Sequence, residues 1–277
     1  MNGLRRPDST PVDVVALSAA LDRVSVERPA AIHVMTATDD VNATAPKVAE
    51  AIETDPAFAA QVMRLANSAF YGMSGRVANT GFAVTVIGFS AIRSLAAVSA
   101  TGLDRNDRSK PEGFWFHAAA AAAACSAVSH RFGVPKGDAF AAGLLHDLGS
   151  ALLHGFDATT HQRLVDRHGT DGAQLAAAEA ETFGMGHDAA TSRVLAAWRF
   201  PDALVEAVAH HHDERPGPDP FAQTVWIGDI LARLVEEPSD NSLRTLVLSV
   251  IADDDLDATI ENTGRRAAEI MASLPIA

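Results

Sequence analysis

The chain has 277 residues, 48% of them hydrophobic, 21% charged and 6% aromatic, with 35 acidic against 22 basic side chains for a formal net charge of -13. That length and composition describe a globular protein with one large core or two smaller ones, and exclude disordered and fibrous classes. The acidic balance disfavours nonspecific capture of nucleic acid or of an anionic membrane, so neither DNA nor a lipid surface is an expected partner.

One cysteine, Cys125, lies in the alanine-rich run 118–127, which rules out an intrachain disulfide and suits a cytoplasmic chain. The opening MNGLRRPDSTPVDVV has two arginines but is broken by two prolines, with no apolar run behind it, so a signal peptide is not expected. No uninterrupted stretch of about 18 apolar residues occurs, and a spanning helix is not expected either.

Apolar spacing is helical along the chain, with Gly or Pro between helix-length segments. Pro46 opens a helix through Val48, Ala51 and Ile52. Asp55 is placed to cap the next one, with Pro56 at its first position and Phe58, Val62, Leu65 and Ala69 on one face. Near its C-terminal end, Asn67 is expected to bond the backbone of the loop 72–80, the alternative being that Asn67 and Ser68 present polar groups to a partner. Phe82, Val86, Ile87 and Ile92 continue the helical pattern, and Gly88 is expected to let a helix end pack closely.

The stretch 104–113, DRNDRSKPEG, carries six charges and no apolar residue, and is the best domain boundary. After it, FWFHAAAAAAACSAVSHRF (114–132) reads as a helix ended by Gly133 and Pro135. DAFAAGLLHDLGSALLHGF (138–156) reads as one further helix with Phe140, Leu144, Leu148 and Leu152 in a stripe. Helices over 172–183, 187–198, 201–212 and 221–235 follow, with the proline-stiffened loop 216–220 before the last of them. Two tail helices are expected around 242–251 and 256–274. Strand signals are weak throughout, so the fold class is all-α.

Eleven histidines occur, and their order along these helices matters more than their number. His117 sits on one helix, His146 and Asp147 on the next, His187 at the start of another, His211 and His212 at the end of a fourth, and Asp229 on a fifth. Helices packed as a bundle can aim such side chains at one point. Imidazole nitrogen and carboxylate oxygen suit Fe, Mn, Zn or Mg, and a carboxylate shared by two ions is common in two-metal phosphoesterase sites. Burying Asp147 among apolar residues is costly unless a metal or several donors satisfy it. The same residues could instead hydrogen-bond neighbouring helices, and spacing alone leaves both readings open.

The order of H, then HD, then a distal D resembles the HD phosphohydrolase superfamily. The wider text resembles its HDOD branch, the HD-related output domain. The stretches that carry this are IETDPAFAAQVMRLANSAFYG (52–72), AVTVIGFSAIRSL (83–95), FWFHAAAAAAACSAVSHRFGV (114–134), DAFAAGLLHDLGSALL (138–153), ETFGMGHDAATSRVLAAWRFP (181–201) and AVAHHHDERP (207–216). The resemblance covers about 25–235. It implies an N-terminal helical layer over 25–104 and an HD-domain-like helical bundle over 112–235, flanked by an extension (1–24) and by tail helices (236–277) that pack on the module. It also implies a regulatory module of bacterial signal transduction, acting through a signalling protein partner in trans or a small nucleotide ligand.

The sequence is similar, further off, to the HD-GYP cyclic-dinucleotide phosphodiesterases. Position by position this implies that His117, His146, Asp147, His187, His211, His212 and Asp229 are metal ligands, with Asp147 the catalytic residue if the chain is an enzyme. Where those enzymes carry lysine shortly after HD, this chain has Ser150, with Arg193 and Arg215 as basic groups that would have to replace it. Where they carry a Gly-Tyr-Pro loop, it has Asp213 followed by ERPGPDP, and its one tyrosine is Tyr71. The expectation is a regulatory module with a degenerate metal site, the alternative a metal-dependent phosphohydrolase. Asp213 sets the register of the HHH run, leaving His210 to point elsewhere. His130, His154, His161 and His168 match no motif and read as solvent-facing or locally bonded. P-loop, Rossmann, helix-turn-helix and nucleophile-elbow patterns are absent.

Overall fold

The computed structural model describes residues 16, 17, 19, 29–102, 110–169, 172–248 and 250–274, which form helices joined by turns, with no strand among them. In the N-terminal part α1 (Pro29–Asp39), α2 (Ala45–Glu53) and α3 (Pro56–Ala66) are followed by α4 (Thr80–Ile87) and α5 (Phe89–Ala100). Asp55 caps α3 as expected, accepting from the amides of Ala57 at 2.9 Å and Phe58 at 3.1 Å. Helix α3 buries Phe58, Val62 and Leu65 but ends at Ala66, so Ala69 lies past it and is exposed. Helix α4 buries Ala83, Val84 and Ile87 and leaves Phe82 exposed, contrary to its apolar spacing. Gly88, with φ 88°, turns the chain by 106° into α5. No atom stands within 4 Å of where its Cβ would be, so the glycine serves the backbone conformation and not the close packing expected of it.

The bundle is built around α6 (Phe114–Phe132), which ends at the left-handed Gly133 as the sequence predicts. Its alanines 118–124 are all buried, because neighbours cover the helix on every side. Helix α7 (Lys136–Leu145) closes on it at Gly143, where a Cβ would meet the Ala121 carbonyl carbon at 2.6 Å and the Ala122 nitrogen at 2.8 Å. Then come α8 (Leu148–Phe156), α9 (Ala158–His168), α10 (Ala173–Phe183), α11 (His187–Ala197), α12 (Asp202–Ala209), α13 (Pro220–Glu236), α14 (Asn241–Val247) and α15 (Asp253–Met271). Helices α13 and α15 both pack on α6.

The single helix expected over 138–156 is two. Asp147, at φ -105° and ψ 13°, leaves the helical region, and the Ser150 amide bonds the Asp147 carbonyl at 2.9 Å to start α8. The stripe of Phe140, Leu144 and Leu148 hides the break, because apolar residues continue on both sides of it. Helices α1 and α9 lie where apolar spacing suggested none; in α9 only His161 and Val165 are buried. One hydrophobic cluster runs from Val34 on α1 through Ile92, Ala119 and Phe140 to Val225 and Ile270. It joins the N-terminal helices directly to the bundle. Residues 104–109 of the expected boundary lie outside the described residues. Among those described, no single helix is long and apolar enough to cross a membrane.

Candidate metal centre

The break between α7 and α8 places His146 and Asp147 at the vertex of two helices, where their side chains project into the bundle. Four other elements face that vertex. Helix α6 brings His117, α11 begins with His187, and α13 brings Asp229. His211 and His212 lie on the turn just past α12, which ends at Ala209 instead of continuing to His212 as the spacing suggested. That turn is tied to α13 by Trp226, whose Nε1 donates to the Asp213 carbonyl at 3.1 Å. His210 is exposed, on the opposite side from its two neighbours, as the register set by Asp213 requires.

The separations are short. Asp147 Oδ1 lies 3.4 Å from His187 Nε2 and 3.3 Å from His211 Nε2, while Asp147 Oδ2 lies 3.9 Å from His117 Nε2. Asp229 Oδ1 lies 3.3 Å from His117 Nε2 and 3.5 Å from His146 Nε2. His117 and His146 approach at 3.2 Å between their Nε2 atoms, and His187 and His212 at 2.6 Å. Two groups of ligand atoms, each within 4.8 Å of one another, could hold metal ions: Asp147 with His117 and His146, and Asp147 with His187, His211 and His212. Asp147 belongs to both.

The other edge of each ring decides what this arrangement can do. His146 Nδ1 donates to the Gly143 carbonyl at 2.8 Å, and His211 Nδ1 to the Val208 carbonyl at 2.6 Å. His187 Nδ1 donates to the carboxylate of Glu179 at 2.6 Å. A carbonyl or carboxylate only accepts, so Nδ1 carries the proton in all three rings. In the neutral form of each ring Nε2 is then the lone-pair nitrogen, and those of His187 and His211 face Asp147 Oδ1. His211 Nε2 is buried with no hydrogen bond. A cation between such acceptors, a metal ion or a proton on Nε2, satisfies them, and rings anchored through the second nitrogen are the usual support of metal-binding histidines. The donor set thus fits divalent ions of the borderline or hard kind. Burial alone would lower the pKa of His211, but the carboxylates of Asp147 and Asp229 outweigh it and hold the imidazole above its ordinary value.

Glu179 was not visible in the sequence. It is completely buried on α10, bonds both the ring and the backbone amide of His187, the latter at 2.8 Å, and accepts from His161 Nε2 at 2.8 Å. Burial works to raise its carboxyl, yet the bonds from His161 and His187 hold it below the usual carboxylate range. His161 continues to His154 at 3.2 Å between their Nδ1 atoms, and both rings are buried. These two histidines extend the support of His187 across three helices; of the two expectations, solvent-facing or locally bonded, they meet the second, being buried and hydrogen-bonded. His130 is exposed and bonds the Ala127 carbonyl. Gly149, within the HDLGS segment, lets α8 approach α11: its amide donates to Thr191 Oγ1 at 2.7 Å, and a Cβ there would stand 2.9 Å from the His187 carbonyl carbon.

Access to the centre is narrow. A cavity of about 80 Å3 reaches His117, Asp147 and Ser150 between Phe114 and the carboxylates of Glu112 and Glu236. Glu236 also lies 3.4 Å from His117 Nδ1. Ser150 is buried and neutral, and neither Arg193 nor Arg215 lines this opening.

Residues 28–214 match the HDOD domain as a family. No curated protein matches the sequence. Among solved structures, the fold is similar to that of a candidate phosphohydrolase from Shewanella amazonensis SB2B, with a TM-score of 0.71 at 21% identity over 94% of this chain and 98% of that one. It is also similar to an HDOD domain protein of unknown function from Geobacter sulfurreducens, with a TM-score of 0.65 at 20% identity over 93% and 96%. A candidate signal-transduction protein from Marinobacter aquaeolei VT8 gives 0.67 at 23% identity, with 98% of this chain covering 61% of that longer one. The likeness to these structures is one of fold, and the match over 28–214 decides the family: the chain belongs to the HDOD family.

Proposed function

We propose that the chain is a cytoplasmic bacterial signalling module that acts through contact with a protein partner, and that His117, His146, Asp147, His187, His211, His212 and Asp229 bind divalent ions that fix the conformation of its bundle. Bound there, such ions would supply charge neutralisation and Lewis acidity at the shared carboxylate. The protein's own groups do the rest of the positioning: Glu179 and the Gly143 and Val208 carbonyls hold the ring orientations. The observation that carries a regulatory role over a hydrolytic one is the opening itself. The part that reaches His117 and Asp147 holds about 80 Å3, far below the roughly 300–1,000 Å3 of ordinary ligand pockets, and the carboxylates of Glu112 and Glu236 at its rim disfavour a phosphodiester. Efficient cleavage also needs the substrate held in line with its charge offset, and the group after the HD pair is the neutral Ser150. The second reading, a metal-dependent phosphohydrolase, draws its support from the sharing of Asp147 between the two ligand groups.

The two readings separate in one experiment. The purified chain, loaded with Mn or Fe, is assayed for metal content and for turnover of cyclic di-GMP and of bis(4-nitrophenyl) phosphate beside an Asp147→Ala control. We expect metal retained by the wild type and lost by the control, with no turnover above the control. Metal-dependent product formation that vanishes in Asp147→Ala would make the chain a phosphodiesterase.

A further inference from the structure

Glu236 is the last residue of α13, and its carboxylate oxygen Oε1 stands 3.4 Å from His117 Nδ1. On the other edge of the same ring, His117 Nε2 lies 3.3 Å from Asp229 Oδ1. Residues 229 and 236 are seven apart, two turns of helix, so they share one face of α13 at about 10 Å along its axis. A single imidazole from α6 is thereby held between two carboxylates of one helix. The inner one, Asp229, is buried, and the outer one lines the narrow opening to the centre.

The other candidate ligand rings that have an acceptor on Nδ1 find it inside the bundle: the Gly143 carbonyl for His146, Glu179 for His187 and the Val208 carbonyl for His211. Glu236 stands in the same relation to His117, at a longer distance, with its side chain 32% exposed. A carboxylate in the last turn opposes the helix dipole, and this one makes no other ion pair or hydrogen bond among the described residues, so the stability of α13 does not explain it. A carboxylate facing Nδ1 fixes which nitrogen carries the proton, orients the ring and raises the basicity of Nε2 toward a metal. We propose that Glu236 is the positioning residue of His117: it draws the ring proton to Nδ1, leaves the Nε2 lone pair for the ion shared with His146 and Asp147, and so sets the affinity of that ion. The second ion, held by Asp147 with His187, His211 and His212, depends on Glu179 instead. Because Glu236 lies at the opening, the affinity of the first ion is the one set from the protein surface. This inference rests on the reading of these residues as metal ligands.

The test uses the full chain with Mn as the probe metal, and compares wild type, Glu236→Leu and Glu236→Gln by calorimetry of Mn binding and by thermal unfolding of the metal-free proteins. The wild type should bind two ions. In Glu236→Leu one ion should bind about 10–100-fold more weakly while the other stays close to the wild-type value. Glu236→Gln, whose amide oxygen still accepts from Nδ1, should recover part of that loss. The melting temperature of metal-free Glu236→Leu should equal or exceed that of the wild type, because a charge opposed to the helix dipole is gone. A wild type that binds fewer than two ions overturns the metal reading and this proposal with it. Two ions in the wild type, with affinities unchanged in Glu236→Leu, weakened alike, or not recovered at all in Glu236→Gln, overturn this proposal alone. If Glu236→Leu does not fold, Glu236→Ala takes its place, and loss of folding in both shows a structural role and overturns the proposal.

Discussion

Asn67 and His187 are both polar side chains set among apolar helices, and the fold treats them in opposite ways. Asn67 is consumed locally: Nδ2 donates to the carbonyls of Met63 at 3.1 Å and Val77 at 2.9 Å, and Oδ1 accepts from the Val77 amide at 3.0 Å. It staples the 72–80 loop to the end of α3, the local role the sequence favoured for it. His187 is instead held from behind by Glu179 and presents Nε2 to Asp147 Oδ1, an atom that His211 also faces. A polar group used up by backbone is a structural fixture. Rings anchored at one nitrogen and gathered around a carboxylate by the other form a place that could hold a cation.

The contrast breaks most sharply at Glu179. Replacing it by alanine removes a completely buried acceptor from two imidazoles and an amide, and losing one partner of a buried charged set costs about 3–5 kcal/mol. Glu179→Ala should therefore lower the urea midpoint by a large fraction of total stability and reduce bound metal, since the His187 ring loses its anchor. Glu179→Gln, which still accepts one hydrogen bond, should recover part of the stability. A loss below about 1 kcal/mol in the alanine variant would show that the ring is held by packing alone.

At Asn67 the effect should be smaller and confined to folding. Asn67→Ala leaves the Val77 amide and carbonyl without their side-chain partner, a change worth about 1–3 kcal/mol. Metal content per folded molecule should stay at the wild-type value. A variant that folds normally yet loses metal would erase the distinction between the two kinds of polar residue.

How much of this was legible follows from the reach of each interaction. The Asp55 cap and the span of α6 rest on neighbours within one turn, so the residue types announce them. The order of the candidate ligands is a pattern of residue types too, and the resemblance to the HD superfamily picked out the same side chains that stand together here. The break at Asp147 was hidden because an apolar stripe is as regular across a two-residue kink as along one helix. Glu179 was hidden for another reason. It is one of two glutamates in AEAETF, and only the tertiary packing of α10 on α11 turns it inward while Glu181 stays exposed. His154 and His161 likewise gain a role only from the partner that α10 brings to α9.

The smallest expected effect sharpens the comparison at the edge of that relay. Asp157 caps α9, accepting from the Thr160 amide at 3.0 Å, four residues ahead of His161. That bond, with a second from the Thr160 hydroxyl, holds its carboxyl below the ordinary value of 3.8. A carboxyl lower in the folded than in the unfolded state contributes stability that is fully present above the unfolded value and is lost as pH falls through the folded one. Asp157→Asn keeps the acceptor and removes the charge, so it should cost only about 0.3–1 kcal/mol at pH 7, the worth of a negative charge at a helix start. The gap between wild type and variant should begin to narrow near 3.8 and close only as the pH falls through the lower folded value, where both caps are neutral. Thermal unfolding at pH 7, 4 and 3 reads this directly, and a gap that does not change with pH would show that acceptor geometry alone makes the cap. Metal content at neutral pH should be the same in both proteins, because Asp157, like Asn67, is used up by the backbone it caps and reaches the centre only through the helix it starts.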